Sequence, residues 1–179
     1  MSKIIFIFIS FLITTKVQNS KYLPVEESKS VQFVIQNFGF DVKGTFNGLT
    51  GLIEFDENNL SNASFQASVS TATINTNNNT RDKHLKGADY FDVLKYPTIK
   101  ISSTKISKSA TPGYYVFFGT LSMKGKTSDI VFPFKFTTEK QGVRFAGDFK
   151  IKRKDFNVGG NSTVSNELIV KLNVLAKKT

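Results

Sequence analysis

The octapeptide Asp129-Ile130-Val131-Phe132-Pro133-Phe134-Lys135-Phe136 sets Ile130, Phe132, Phe134 and Phe136 two residues apart, so an extended chain carries all four on one face. Val131, Pro133 and Lys135 take the other. One apolar and one mixed face suit an antiparallel strand that covers a core on one side only. Pro133 lacks an amide hydrogen and points to an edge position or a bulge. The same period of two runs outward. Before it stand Tyr115, Phe117, Gly119 and Leu121, entered from a Thr111-Pro112-Gly113 turn, and Ile99, Ile101 and Ser103; after it come Phe145, Gly147, Phe149 and Ile151, then Leu168, Val170, Leu172 and Val174. Toward the amino end, Phe65, Ala67, Val69 and Thr71 alternate with polar residues, while Val31, Phe33 and Ile35 share a face with Asn37. Between these two sets, Gly39, Gly44, Gly48 and Gly51 break up the run from Phe40 to Phe55, the pattern of a kinked or bulged hairpin.

The expected fold is all-β, an antiparallel barrel or sandwich of about eight strands joined by short turns. One segment departs from the period of two. Arg81 to Phe91 places Leu85, Ala88 and Phe91 on one side, which predicts a short helix in the 80–95 region with Thr80 as its cap and Pro97 as its far limit. A small barrel either fills its interior with side chains or keeps room for one ligand. Gly119, Gly147, Thr71 and Ser103 thin the inward rows, and both outcomes stay open on this reading.

Composition narrows the setting. A chain of 179 residues suits one domain, and its 18 phenylalanines must find a core. Met1-Ser2-Lys3 precedes an apolar run from Ile4 to Ile13, followed by Thr14-Thr15-Lys16. That is the layout of a secretory signal, shorter than the ~20 residues of a membrane span, so residues 1–20 are assigned to a signal peptide and 21–179 to the mature domain. The absence of cysteine removes disulfides, thiolate nucleophiles and Cys-ligated metals. Without Lys3 and Lys16, 22 basic residues face 14 acidic ones. The lysines are spread along the strands, with no basic block interleaved with aromatics of the kind that grips nucleic acid, so no nucleic-acid partner is expected.

The stretch Asn75 to Ile101 holds His84, the one histidine, among acids, bases and aromatics. A hydrolase triad would need a nucleophile elbow, and none accompanies it. A catalytic zinc needs about three protein ligands, which one histidine and no cysteine do not supply. Gly119 to Thr127 imitates a phosphate-binding loop, but the spacing between its glycines is one residue too long and a strand follows where a helix is required, so a Gly-Lys-Thr hairpin turn explains it. No catalytic residue, metal or cofactor is assigned. The plainest role for Arg81, Asp82 and His84 is to pair with one another and cap a helix that closes one barrel end.

Several ordered blocks carry a family resemblance. Val31-x-Phe33-x-Ile35-x-Asn37-x-Gly39, then Gly44-x-Phe46, Gly51-x-Ile53-x-Phe55-Asp56, Ile74-x-Thr76, Arg81-Asp82-x-His84-Leu85 and Asp89-Tyr90-Phe91-Asp92 are followed by Lys95-Tyr96-Pro97-x-Ile99-x-Ile101-x-Ser103, Gly119-x-Leu121-x-Met123-x-Gly125 and Arg153-x-Asp155-Phe156. Together they resemble the YceI-like proteins, exported lipocalin-like barrels that bind polyisoprenoid and related long-chain lipids. Asn37 stands where many members have His, Ile101 where Phe is common, and Tyr90 where a second Phe is usual. The resemblance implies a lipocalin-like antiparallel barrel that is periplasmic or secreted, carries or stores a long-chain isoprenoid or fatty-acyl-type lipid, and performs no catalysis. Strand parity then assigns Phe33, Ile35, Phe46, Phe55, Ile99, Ile101, Phe117, Leu121, Phe132, Phe149 and Leu172 to the tunnel wall, with Asn37, Arg81, Asp82 and His84 at the head group or mouth. An exported interaction or stress-related module with a filled barrel is the competing reading. Peripheral contact with a membrane or membrane protein, and a homodimer, stay open as partners.

Overall fold

Ten strands and one α-helix follow one another in the computed structural model, which describes residues 19–179. Of the stretch assigned to the signal peptide, only Asn19 and Ser20 lie among the described residues. The strands are β1 (Ser20–Pro24), β2 (Val31–Asn37), β3 (Phe40–Phe46), β4 (Thr50–Phe55), β5 (Ser64–Ser70), β6 (Thr98–Lys108), β7 (Tyr114–Met123), β8 (Lys126–Glu139), β9 (Gly142–Lys152) and β10 (Val164–Lys178); helix α1 spans Asn79–Leu85. All the strand pairings are antiparallel, and β1 closes the sheet by pairing with both β4 and β10.

The ten strands make eight rows. β1 and β2 both run along β10, at Tyr22↔Lys178 and Val31↔Leu172, and β4 and β3 continue beside them. The kinked hairpin expected from the glycines is therefore a pair of interrupted strands. At Gly44 the ring of Phe33, its cross-strand partner, lies where a Cβ would stand, so any larger residue there would have to displace that ring.

Two ladders stop short, and they stop at the same end of the barrel. β8 pairs with β9 only from Phe134↔Gly147 to Glu139↔Gly142; Lys126 to Pro133 are bonded to β7 alone, and Asp148 to Lys152 to β10 alone. Pro133 marks that boundary, the edge-like position expected of it. On the opposite wall β3 pairs only with β2, apart from Thr45 and Asn75, which exchange bonds of 2.9 and 3.1 Å. Residues 71–97 fill the second gap. They are clasped at the base by Thr71, whose amide donates to Pro97 O at 2.9 Å and whose Oγ1 donates to Tyr96 O at 2.8 Å.

Helix α1 differs in detail from the expectation. Its cap is Asn78, whose Oδ1 accepts from the Arg81 amide at 2.9 Å, and Thr80 lies inside the helix. It ends at Leu85, because Gly87 opens a series of turns that includes the left-handed Asp92 (φ 48°). The Lys124-Gly125 pair forms the β7–β8 hairpin turn with both φ values positive, in place of any phosphate loop.

The fully closed end is solid. Phe55 is 0% exposed and meets the rings of Phe65, Tyr115, Phe134, Phe136 and Phe145 at centroid distances of 4.9 to 6.1 Å. Four of these pairs are edge-to-face and the one with Phe136 is tilted; aromatic pairs of this kind contribute about 0.5–1.5 kcal/mol each beyond the area they bury. Phe55→Ala is expected to lower unfolding stability by about 3–5 kcal/mol in urea titration, since the surrounding rings can collapse only partly into the space. A loss below about 1 kcal/mol would show that the cluster is loosely packed.

Candidate functional site

The splayed end encloses the cavity. Its volume is about 190 Å³, and its wall takes Val31, Phe33 and Ile35 from β2, Phe46 from β3, Ile99 and Ile101 from β6, Leu121 and Met123 from β7, and the inward row Leu168, Val170, Leu172 and Val174 from β10. Leu85 of α1 and Phe91 of the following turns close it from the side. A hollow can persist here because the unpaired stretches of β8 with β9, and of β3 with β5, let the wall spread beyond the circumference that eight fully bonded rows would set.

The border between the hollow and filled halves is an aromatic row. Phe149 lines the cavity and stacks on Phe132 (4.6 Å, 19°), which stacks in turn on Phe117 (4.8 Å, 21°). Eight of the residues that parity assigned to the tunnel lie on its wall: Phe33, Ile35, Phe46, Ile99, Ile101, Leu121, Phe149 and Leu172. Phe55, Phe117 and Phe132 do not, which corrects the parity reading. They face inward, but at depths where neighbouring rings occupy the interior. Thr71, Ser103, Gly119 and Gly147 do not line the cavity either. Ser103 sits at a bulge in β6, where its Oγ accepts from the Phe65 amide at 2.8 Å and so serves the sheet.

Polar groups gather at the mouth. Thr76 is their hub: its amide donates to Asp82 Oδ1 at 2.9 Å, its Oγ1 donates to the same oxygen, and its Oγ1 and carbonyl accept from Arg81 Nε and Nη2 at 2.7 and 2.8 Å. Arg81 and Thr76 line the cavity, whereas Asp82 is buried behind them. Arg81, Asp82 and His84 thus do not pair with one another as the sequence suggested; two of them meet through Thr76. His84 is exposed and off the cavity, its ring edge-on to Tyr90 at 5.0 Å. Asn37 does line the rim, and its Oδ1 accepts from Thr163 Oγ1 at 3.1 Å.

Arg153 was assigned no role from its sequence position. Only 4% exposed, it donates from Nε to Ser165 O (3.0 Å), from Nη1 to Val158 O (2.7 Å) and Gly160 O (3.0 Å), and from Nη2 to Val164 O (2.9 Å). It lines the cavity as well. Gly159, at φ +77°, has no side chain to keep the Tyr90 ring and the guanidinium apart. Nearby, burial pulls the Lys124 ammonium below its ordinary value against the opposing pull of Asp92 and Asp89, while its Nζ donates to Asn157 O at 2.8 Å. Among the described residues neither Arg81 nor Arg153 has a carboxylate within salt-bridge distance. The site is an apolar chamber with two guanidinium groups at its mouth. Such an arrangement can hold a hydrocarbon chain and present donors to a polar end. Among the described residues, no group of three or more His, Cys, Asp or Glu side chains is arranged to hold a metal ion.

An Arg153→Lys substitution replaces a planar fork by one ammonium that cannot reach four carbonyls. Hydrogen exchange of the amides in residues 157–165 is expected to accelerate at least about tenfold, the equivalent of 1.4 kcal/mol of lost local stability. Unchanged protection would mean that the loop holds itself.

The sequence profile of the family described as the YceI-like domain matches residues 22–176. Protein YceI of Salmonella agona is 31% identical over an alignment that covers 97% of this chain and 96% of its own. Among solved structures, Burkholderia cenocepacia BcnA superposes with a TM-score of 0.77 at 23% identity, covering 88% of this chain and 96% of its own. A polyisoprenoid binding domain from Saccharophagus degradans superposes with a TM-score of 0.70 at 12% identity, covering 90% of this chain and all of that one. At these identities the two superpositions show a shared fold.

Proposed function

The chain belongs to the YceI-like domain family, and on that premise we propose that it holds a long-chain isoprenoid or similar lipid in the cavity and serves as its carrier or store. The observation that carries the reading is the distribution of polarity. Aliphatic and aromatic residues make most of the chamber, and the guanidinium groups of Arg81 and Arg153 stand at its mouth. Each methylene removed from water contributes about 0.8 kcal/mol, so a flexible chain is retained without directional contacts along its length. The polar end of the lipid lies at Arg81 and Asn37. Asp82 and His84 act one step removed, the first by fixing Thr76 and the second by packing on Tyr90.

The polyisoprenoid-binding description of the Saccharophagus degradans domain supports the ligand class. The apolar run from Ile4 to Ile13 behind Lys3 supports action outside the cytoplasm, in the periplasm or secreted. Binding rather than turnover is the activity, and the lipid is the one small molecule the reading requires. A filled interaction module accounts for the aromatic half but leaves the apolar chamber without a use.

Organic extraction of the purified protein followed by mass spectrometry is expected to release a long-chain lipid in near-stoichiometric amount. Leu121→Trp, which places an indole in the chamber, is expected to abolish that lipid and the uptake of a fluorescent prenyl or acyl probe from detergent solution. A Leu121→Trp protein that still carries the lipid would overturn the cavity as its site.

A further inference from the structure

The three most exposed large apolar side chains among the described residues are Leu94 (97%), Phe40 (77%) and Phe38 (74%), and all three stand at the mouth end of the barrel. Phe38 and Phe40 flank Gly39 in the β2–β3 hairpin turn, where Asn37 pairs with Phe40. Leu94 lies in the turns between α1 and β6. Among the described residues neither Phe38 nor Phe40 packs against another ring, whereas the closed half is held together by ring-to-ring contacts. A packing role therefore does not explain them.

The hairpin tip adds a second observation. Phe38 has φ 51° and Gly39 φ 81°, the two left-handed residues of a tight turn whose first position suits Asn, Asp or Gly. A bulky residue is strained there, and its ring stays 74% exposed. Phe40 has the same strand parity as Val42 and Phe46, which line the chamber, so the inward apolar row of β3 continues past the rim into solvent.

Charge differs between the two ends. The mouth-end segments 37–43, 74–98, 123–127 and 152–166 carry ten Lys and Arg against five Asp and Glu. The closed-end segments 19–30, 54–64, 107–115, 135–144 and 175–179 carry eight against six. Exposed aromatic and aliphatic tips set among an excess of basic residues are the composition of an interfacial membrane contact, in which apolar groups enter the headgroup boundary while cations meet anionic lipid. From these observations we infer that the mouth end docks on an anionic lipid bilayer through Phe38, Phe40 and Leu94, with the surrounding lysines supplying the attraction. The inference rests on the lipid-binding reading of the chamber and extends it, because the same face that meets the membrane opens onto the cavity. A chain leaving the bilayer would pass Phe40 and Val42 without crossing water.

Co-sedimentation with vesicles tests this. The purified protein is expected to pellet with phosphatidylcholine vesicles that contain phosphatidylglycerol, to be released by added salt, and to stay in solution with phosphatidylcholine alone. The triple variant F38S/F40S/L94S is expected to lose about tenfold or more in vesicle partitioning. It should keep the thermal midpoint of the parent and its uptake of a fluorescent lipid from detergent solution. Leu121→Trp provides the converse, docking as the parent does while taking up no lipid, so failure of docking and failure of the cavity reading are distinguishable. Parent protein that does not pellet with anionic vesicles overturns the inference, as does a triple variant that pellets as the parent does. The inference is also overturned if the three substitutions abolish capture of a protein partner and leave vesicle binding unchanged.

Discussion

Backbone hydrogen bonding decides where this barrel is solid and where it is hollow. Where β1 bridges β4 and β10, all eight rows are tied into a ring of fixed circumference, and the phenylalanines inside leave no room. Toward the other end, β8 and β9 part beyond Phe134 and Gly147, and β3 runs free of β5. The wall widens there, and the groups released from the ladders must find partners elsewhere. Arg153 and Thr71 belong to that solution: one gathers two carbonyls of the loop before β10 and two from the start of β10, the other clasps both ends of the insert that carries α1.

The consequence is a division of labour among aromatic residues of the same type. Phe55 and Phe117 stabilise the fold, Phe33 and Phe91 shape an apolar chamber, and Phe38 and Phe40 contribute to neither. Phe149 stands between the first two groups, with one side toward the chamber and the other stacked on Phe132. Polar side chains follow the same division. Asp82 is buried in a hydrogen-bonded cluster that positions Thr76 and, through it, Arg81, while the exposed His84 touches the site only through Tyr90. The concentration of charge and aromatics between Asn75 and Ile101 therefore builds a side wall and a mouth.

Much of this was legible in the chain. The period of two in Asp129 to Phe136 and its neighbours identified the strands and their inward faces, and the cluster of glycines between Phe40 and Phe55 marked the interruption of two of them. Parity also placed Phe33, Ile35, Ile99, Ile101 and Leu172 on the inward side, where they line the chamber. It misjudged Phe55, Phe117 and Phe132, since parity reports which face a side chain takes and says nothing about how much room lies in front of it. Arg153 stands in one of the family-like blocks, yet nothing in its neighbours indicates what its guanidinium holds. Its carbonyl partners at Val158, Gly160, Val164 and Ser165 come together only once the loop has folded back onto β10.

Local pattern by itself determined the strand faces, a hairpin turn at Gly125, and an inward-facing core rich in phenylalanine, because these depend on neighbours a few residues apart. Tertiary structure alone decided which part of that core is filled and which is open. That outcome turns on where ladders between distant segments end, as at Phe134 and Gly147, and on contacts such as Asn37 with Thr163, separated by 126 positions. A period of two cannot encode the length of a ladder, since the alternation continues unchanged through Phe132 and Ile130 after the pairing with β9 has stopped.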